Sequence, residues 1–250
     1  MAEQKRNIED YTESYLKMPF LEENVKYRRD CVIEQMMKYD HQNILEIGCG
    51  MFPLFEYLDS KYDHYVIIEP SHLFSENAKK KSEKLKNVEV IEGCFEETIP
   101  ELESKDFDFI VCSSLLHEVE DEKVFLKNLY KVSSANTTVH INVPNALSMH
   151  RLVAKEMGLI DDLYQQSGNQ KILQQRTVYD MQTLKAQVIE TGFKVLDEGS
   201  YFIKPFTHFQ MDRMMKEKII DQAVLTGLQK IVKYFPNNGS EIYVNVRKDR

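Results

Sequence analysis

Short apolar runs alternate with longer amphipathic stretches through the middle of the chain. The runs have the length and composition of buried β-strands, which we predict at 43–47, 64–69, 87–92, 107–112 and 137–143. Apolar residues recur at helical spacing between them, which predicts helices at 51–61, 72–85 and 120–133. This alternation, with its short connections, predicts a parallel sheet that carries helices on both faces.

The chain before this alternation is mostly helical in pattern. Over residues 21–39, apolar side chains recur at helical spacing, with Val25, Val32 and Met36 on one side. We therefore predict an N-terminal helical cover over residues 1–40.

The alternation breaks after Pro144. A helix that ends at Gly158 is followed by a polar, glutamine-rich stretch over 160–178, which we predict to be a surface loop. The pattern beyond it predicts a helix, a strand, a second helix and a last strand, at 180–190, 193–203, 211–235 and 241–247. These two strands bring the predicted total to seven.

A glycine-containing loop follows the first predicted strand. Gly48 and Gly50 allow a tight turn and let the backbone approach a ligand where a Cβ would intrude. Glu69 closes the second strand 21 residues after Gly48, about the interval at which an acidic residue accepts hydrogen bonds from ribose hydroxyls. Together these features predict an adenosine-type ligand that lies across two strand ends.

The loop lacks the third glycine of a dinucleotide-binding fingerprint. Met51, Phe52 and Pro53 follow Gly50 where that glycine would open the helix. The loop therefore has no cradle for a pyrophosphate. This disfavours an NAD-linked oxidoreductase, which stays an alternative.

The segment 45–50, Leu-Glu-Ile-Gly-Cys-Gly, resembles the first motif of class I S-adenosylmethionine-dependent methyltransferases. The resemblance includes an acidic residue, Glu46, two positions before the first glycine. Glu69 matches the ribose-binding acid of the family. Segment 92–96 resembles the turn that borders the adenine, and segment 107–121 is similar to the fourth strand and its following loop.

The resemblance extends over residues 42–143 and implies the fold and the cofactor of that family. The fold is expected to be α/β, with a Rossmann-like, mostly parallel seven-stranded sheet and helices on both faces. The chain departs from the plain core of the family, because its own pattern predicts helical insertions after strand 5 and before the last strand. The cofactor is expected to be S-adenosyl-L-methionine, with S-adenosyl-L-homocysteine as the product. The residues predicted to bind it are Glu46, Gly48, Gly50, Glu69, Pro70, Cys94, Phe95, Ser113, Tyr11 and Arg29.

We predict that residues 1–250 form a single methyltransferase domain. Its parts are the N-terminal cover, the cofactor-binding core, an inserted lid and a C-terminal part of the sheet with an inserted helix, at 1–40, 41–143, 144–179 and 180–250.

The predicted reaction is transfer of the sulfonium methyl group to an oxygen or nitrogen of a small-molecule acceptor. Positioning supplies much of the rate of such a displacement, and a general base is needed only when the acceptor must lose a proton early. His117, in the loop after the fourth strand, is the candidate base, and a structural role is its alternative. His140 alternates with apolar residues within a strand, which predicts a core histidine.

Candidate acceptor-binding residues lie at the end of the fifth strand and in the predicted lid over 144–179, which we call the inserted block. They are Asn145, His150, Arg151, Arg176 and Tyr179. A guanidinium suits a carboxylate or phosphate group through two parallel hydrogen bonds, although a surface helix explains His150 and Arg151 equally well. The block also resembles that of methyltransferases from surface-glycan and natural-product pathways, which makes a sugar or natural-product intermediate a candidate acceptor. A module that binds the cofactor without turnover is the second alternative.

The composition of the chain mainly argues against certain partners and sites. The net charge of −8 disfavours a nucleic-acid partner, because phosphate-binding surfaces are basic. Four scattered cysteines without a CxxC pair indicate neither a disulfide framework nor a zinc site, so no metal is expected. No run of about 18 apolar residues occurs, so we expect no membrane span and a cytoplasmic location. We expect a monomer or a homodimer.

Overall fold

The computed structural model describes residues 6–59 and 62–249. Its strands are β1 (Asn43–Ile47), β2 (His64–Glu69), β3 (Val88–Glu92), β4 (Phe109–Ser113), β5 (Thr138–Pro144), β6 (Phe193–Tyr201) and β7 (Glu241–Lys248). They form one sheet in the order β3-β2-β1-β4-β5-β7-β6. Strand β7 is antiparallel to β5 and β6, and the other neighbouring pairs are parallel. This confirms the predicted mostly parallel seven-stranded α/β sheet.

Helices cover both faces of the sheet and its carboxyl edge. They are α1 (Ile8–Leu16), α2 (Leu21–Met36), α3 (His72–Ser82), α4 (Ile99–Leu102), α5 (Glu122–Val132), α6 (Met149–Glu156), α7 (Gly168–Ile172), α8 (Met181–Glu190), α9 (His208–Lys216) and α10 (Gln222–Lys230). Short 3₁₀ helices lie at Leu54–Tyr57, Phe95–Glu97 and Ile231–Tyr234.

Alternate side chains of β1 enter two separate apolar clusters. Leu45 shares a cluster with Phe125 of α5 on one face of the sheet, whereas Ile44 shares the other with Val32 and Met36 of α2. Both faces of β1 are therefore buried, because successive side chains of a strand point to opposite sides. The predicted apolar stripe of α2 is confirmed, since Val32 and Met36 are buried there.

Residues 51–61 do not form the predicted helix, so that prediction was wrong. Pro53 is extended (φ −53°, ψ 134°), and a 3₁₀ helix of four residues follows it. The backbone N–H of Leu54 donates to the carboxylate of Glu46 instead of entering a helical ladder. Residues 60–61 lie outside the described part of the chain.

The predicted helix 211–235 is divided into α9 and α10. Lys218 adopts a left-handed conformation (φ 57°), and the side chain of Asp221 caps α10 by accepting from the N–H of Val224. In α10, Leu225 is buried while the adjacent Val224 is 43% exposed. Helix α9 itself contributes one fully buried side chain, that of Met211.

The predicted surface loop 160–178 contains the short helix α7. Ser167 and Gln170 form a capping box at its start, in which each side chain bonds the backbone of the other residue. The pattern of apolar residues did not reveal this helix, because none of its side chains is buried.

The predicted core histidine is confirmed. His140 is fully buried, with Nδ1 2.8 Å from Oδ1 of Asn245 and Nε2 3.1 Å from Nδ2 of Asn142. Burial lowers the pKa of His140 to about 4, although the Asn245 contact opposes this. The ring is therefore a neutral structural group at neutral pH.

Two further features concern the helices and the cysteines of the described residues. None of their helices combines the length and the apolar character needed to cross a bilayer. No disulfide links the cysteines, and Cys31, Cys49 and Cys112 are buried thiols.

Candidate active site

A cavity of about 570 Å³ lies at the carboxyl ends of β1, β2, β4 and β5, under α1, α2 and the block between β5 and α8. Ligands of open parallel sheets bind at this edge. Of the residues predicted from sequence, those that line the cavity are Tyr11, Arg29, Glu46, Gly48, Gly50, Glu69, Pro70, Ser113, Asn145, His150 and Arg151.

Two of the predicted adenine-side residues lie outside the cavity lining. Phe95 is buried in the core with its ring centroid 5.2 Å from that of Phe125. Cys94 is half-buried and precedes the 3₁₀ helix that begins at Phe95. The structure therefore does not place either side chain on the cavity wall.

The candidate base His117 also lies outside the lining. Its ring is buried, and Nδ1 and Nε2 have no hydrogen-bond partner among the described residues. Burial lowers the pKa of His117 well below its ordinary value, and Arg28 and Arg6 act in the same direction. Its carbonyl oxygen accepts from the backbone N–H of Arg176 at 2.8 Å. His117 thus ties the loop after β4 to the inserted block.

Two predicted acceptor contacts are not brought to the cavity either. Tyr179 is fully buried in the core, and its hydroxyl donates to Oε1 of Gln187 at 2.8 Å. Arg176 lies beside His117 through its backbone and is not part of the lining. Arg151 does line the cavity, but its guanidinium donates to the carbonyls of Leu163 and Gln165, which holds that part of the inserted block against α6.

The glycine loop and Glu69 are joined by backbone hydrogen bonds. Gly48 (φ 76°) and Gly50 (φ 56°) are in the left-handed region that favours glycine. The N–H of Gly50 donates to Oε2 of Glu69, and the N–H of Ser71 donates to Oε1, both at 2.9 Å. Burial raises the pKa of Glu69, and these amides oppose the shift. Each carboxylate oxygen keeps a lone pair for a ligand hydroxyl.

The carboxylate of Glu46 also holds this loop by hydrogen bonds. Its oxygens accept from the N–H of Leu54 at 3.2 Å and from the hydroxyl of Tyr65 at 2.8 Å. Burial raises the pKa of Glu46 to about 7, despite these two donors. The motif acid is therefore engaged in holding the turn between β1 and β2.

Helix α1 is fastened over the cavity by polar contacts. Arg6 forms a buried ion pair with Glu118 in the loop after β4, and its guanidinium lies 3.9 Å from the ring centroid of Tyr11. The hydroxyl of Thr12 donates to that of Ser71 at 2.8 Å. These contacts explain the predicted N-terminal cover at the level of side chains.

The cover also meets the inserted block directly. The backbone N–H of Asn7 donates to Oε1 of Gln174, and Nε2 of Gln174 donates back to the carbonyl of Asn7, both at 2.8 Å. Gln174 has a left-handed backbone (φ 53°) that this exchange holds in place. The cavity is thereby closed over by two segments far apart in sequence.

Many residues that line the cavity were not predicted from the sequence, and three of them are titratable side chains near the last two strands. Lys204 and His208 follow β6, and Glu241 begins β7. The sequence signal for Lys204 was its position directly after the apolar run Tyr201-Phe-Ile. This pattern does not distinguish a lysine that lines a cavity from a surface lysine at the end of a strand. Glu241 had no signal of its own.

A group with metal-ligating atoms lies elsewhere on the surface. His72, Glu76 and Glu92 bring ligand atoms within 4.8 Å of one another, and all three are exposed. Lys79 forms ion pairs with both carboxylates. None of these residues lines the cavity.

Residues 45–141 match the family model described as a methyltransferase domain. The order of the seven strands extends the same fold beyond the matched core. Over this core the chain is similar to methyltransferases. Among curated proteins, none matches the sequence significantly.

Solved structures of similar fold cover most of the chain. One is the plantazolicin methyltransferase BamL in complex with a triazolic desmethylPZN analog and S-adenosylhomocysteine (TM-score 0.59, 16% identity, 97% of each chain covered). The N-methyltransferase NodS from Bradyrhizobium japonicum, with S-adenosylhomocysteine, has a TM-score of 0.54 at 12% identity and covers 94% of this chain and 90% of its own. A SAM-dependent methyltransferase from Archaeoglobus fulgidus has a TM-score of 0.56 at 14% identity, with 89% and 96% covered.

Proposed function

We propose that this enzyme transfers the sulfonium methyl group of S-adenosylmethionine to an oxygen or nitrogen of a small-molecule acceptor and releases S-adenosylhomocysteine. The observation that carries this proposal is one cavity lined both by Glu69 and by residues of the inserted block such as His150. Its volume of about 570 Å³ falls in the range of small-molecule sites. The net charge of −8 speaks against a nucleic-acid acceptor.

The residues present fit the cofactor. Glu69 lines the cavity and two backbone amides orient its carboxylate, which supports a role as acceptor for the ribose hydroxyls. Gly48 and Gly50 line the cavity and carry no Cβ, so the backbone of the loop can approach a ligand closely. S-Adenosylmethionine, when bound, supplies an electrophilic methyl group on a positively charged sulfur.

Arg29 is our candidate for the carboxylate of the cofactor. The guanidinium groups of Arg6 and Arg28 are already paired with buried carboxylates. That of Arg29 lies 3.5 Å from the ring centroid of Tyr57 and lines the cavity without an ion-pair partner among the described residues. It is therefore available for an anion.

The residues of the chain contribute mainly by orientation and by excluding water. Contacts of Asn7, which caps α1, with Gln174 of the inserted block close over the cavity, which favours a fixed acceptor geometry. Asn145 is held at the end of β5 by donating to the carbonyls of Asn237 and Gly239, both at 2.9 Å. No role for His117 as a base is needed in this arrangement, because its ring lies outside the lining.

Calorimetric titration with S-adenosylhomocysteine tests the cofactor assignment first. An acceptor screen with S-adenosylmethionine, in which mass spectrometry detects the demethylated cofactor, then tests turnover. Binding followed by its release supports the proposal. Binding without any release across the screen supports a cofactor-binding module, and binding of NADH in place of S-adenosylhomocysteine supports an oxidoreductase.

A further inference from the structure

Three nitrogen-bearing side chains meet in the part of the cavity formed by α6, α9 and the segment after β6. They belong to His150, Lys204 and His208. Lys204 is only 4% exposed. Nδ1 of His150 and Nε2 of His208 are buried and have no hydrogen-bond partner among the described residues. Buried polar groups are normally satisfied, so two such nitrogens beside a buried lysine indicate a missing ligand.

The backbone holds Lys204 in this position. Phe202 has a left-handed backbone (φ 55°) that is uncommon for an aromatic residue, and its ring stacks on Tyr27 at 4.3 Å between centroids. The N–H of Ile203 donates to the carbonyl of Leu228, and the carbonyl of Lys204 accepts from the N–H of His150, both at 3.1 Å. The lysine is thus directed into the cavity by contacts on both sides.

The neighbouring carboxylate does not satisfy Lys204. Glu241 is buried and accepts three hydrogen bonds from the guanidinium of Arg28 and one from the hydroxyl of Tyr201. The Arg28–Glu241 pair is therefore close to neutral as a unit. A protonated Lys204 adds a positive charge beside a carboxylate that already pairs with Arg28.

The pKa values of the three groups agree with an excess of positive charge around them. Burial lowers the pKa of Lys204 to about 7, and Arg28 adds to the shift while Glu241 opposes it. Burial also lowers the pKa of His150 and of His208 well below the ordinary value, and Lys204 acts in the same direction on both.

Further charges around the two imidazoles are also positive. Arg151 and His208 act on His150, and Arg28 acts on His208. Each of these groups is more stable as a neutral base while the cavity is without an anion, because every neighbouring charge that acts on it apart from Glu241 is cationic.

We propose that His150, Lys204 and His208 form an anion-binding site for a carboxylate or phosphate group of the methyl acceptor. This rests on the proposed function, since it names the class of acceptor that the enzyme uses. An ammonium group provides three donors and each imidazole provides one N–H, and hydrogen bonds from charged donors to an anionic oxygen are the stronger kind. A cationic acceptor group at this point is disfavoured by the same charges.

The test uses the complex with S-adenosylhomocysteine, titrated by calorimetry with benzoate, with inorganic phosphate and with the neutral analogue benzamide. We expect one of the two anions to bind at least about 10-fold more tightly than benzamide, since 1.4 kcal/mol is a factor of 10. The tighter anion assigns the acceptor group as carboxylate or phosphate. Lys204→Met is expected to lose that 10-fold preference, whereas Lys155→Met, an exposed position on α6, keeps it.

Proton uptake provides a second measurement. At pH 8 Lys204 is mostly neutral, and a bound anion raises its pKa, so binding is expected to take up protons. Titrations in two buffers of different ionisation enthalpy measure this uptake, which Lys204→Met reduces. His208→Gln, expected to weaken the anion about 10-fold or more, gives an independent variant should Lys204→Met not fold.

The outcomes separate this inference from the proposed function. Equal binding of both anions and benzamide, or unchanged anion binding in folded Lys204→Met, overturns the anion site. Loss of S-adenosylhomocysteine affinity in folded Lys204→Met also overturns it, because the ammonium then serves the carboxylate of the cofactor. Absence of S-adenosylhomocysteine binding to the unsubstituted protein refutes the proposed function instead.

Discussion

Arg28 of α2 and Glu241 at the start of β7 form a buried, two-pronged ion pair between residues 213 positions apart. Nε of Arg28 lies 3.1 and 3.0 Å from the two carboxylate oxygens, and Nη2 lies 2.6 Å from Oε1. Although burial opposes the charged form, Arg28 lowers the pKa of Glu241 below its ordinary value. The pair fastens the N-terminal cover to the last strand.

Removing one partner of this pair is expected to destabilise the protein strongly. Glu241→Gln leaves the guanidinium of Arg28 buried without its counter-charge, which typically costs about 3–5 kcal/mol. The free energy of unfolding from urea titration measures this. Glu13→Gln is the matched control, because Glu13 pairs with Lys17 on the surface of α1 at 75% exposure and is expected to change little. A loss of similar size in both variants contradicts the role given to Arg28.

Glu69→Gln tests the ribose assignment. The amide keeps one oxygen for the loop but replaces the other acceptor with a donor, so S-adenosylhomocysteine should bind more weakly by roughly 1–3 kcal/mol. Calorimetric affinity is the measurement. Glu76→Gln, an exposed position on α3, is expected to bind as tightly as the unsubstituted protein. An unchanged affinity in Glu69→Gln removes this residue from the site.

Gly239→Ala is expected to destabilise the turn that supports Asn145. A Cβ on Gly239 would lie 2.6 Å from Oγ of Ser200 and from the backbone N and O of Tyr201. Overpacking of this kind costs roughly 1–3 kcal/mol. Gly227→Ala is the opposite case, because its Cβ meets nothing within 4 Å inside α10, and we expect a gain of about 0.4–1 kcal/mol. Thermal unfolding of the two variants should move in opposite directions.

The stability of the protein should depend on pH through Lys204. Its folded pKa of about 7 lies below the ordinary lysine value. At a pH between the folded pKa and the ordinary pKa of lysine, the unfolded chain binds a proton that the folded chain does not. The free energy of unfolding therefore rises with pH in this range. Relative to Lys204→Met, the unsubstituted protein should gain about 2 kcal/mol from pH 7 to pH 9, at about 1.4 kcal/mol per unit. Urea titrations at both pH values measure the difference.

Two parallel stability curves for the unsubstituted protein and Lys204→Met would contradict this depressed pKa. Lys155→Met again provides the control, since this lysine is exposed and outside the cavity. Its stability difference from the unsubstituted protein is expected to be the same at both pH values.

His117→Gln distinguishes a base from a structural histidine. The ring lies outside the cavity lining, so we expect turnover with an identified acceptor to stay within about 10-fold, below the 10²–10⁴ that general bases contribute. Affinity for S-adenosylhomocysteine should be unchanged. A larger loss of kcat at intact cofactor affinity, with an altered pH profile, would return His117 to the mechanism.

The sheet and the edge of it at which the cavity lies were predictable from the sequence. The strand runs, the two loop glycines and Glu69 appear in the structure at the predicted places, because they depend on local pattern and on the rule that parallel strand ends share one edge. The predicted helix over 51–61 failed where a side chain, that of Glu46, took a backbone N–H. The division between α9 and α10 escaped the pattern because a single left-handed residue, Lys218, reset the helical phase.

The sequence by itself determined the class of fold and the region where a nucleoside is expected, since spacing of apolar residues and glycines is a property of neighbours along the chain. Only the tertiary structure decided which charged groups share a low-dielectric space. Lys204 and His150 lie on different segments of the chain, and Arg28 and Glu241 are 213 positions apart. Burial and pairing, which set charge and proton affinity, depend on distance in space and so became visible only after folding.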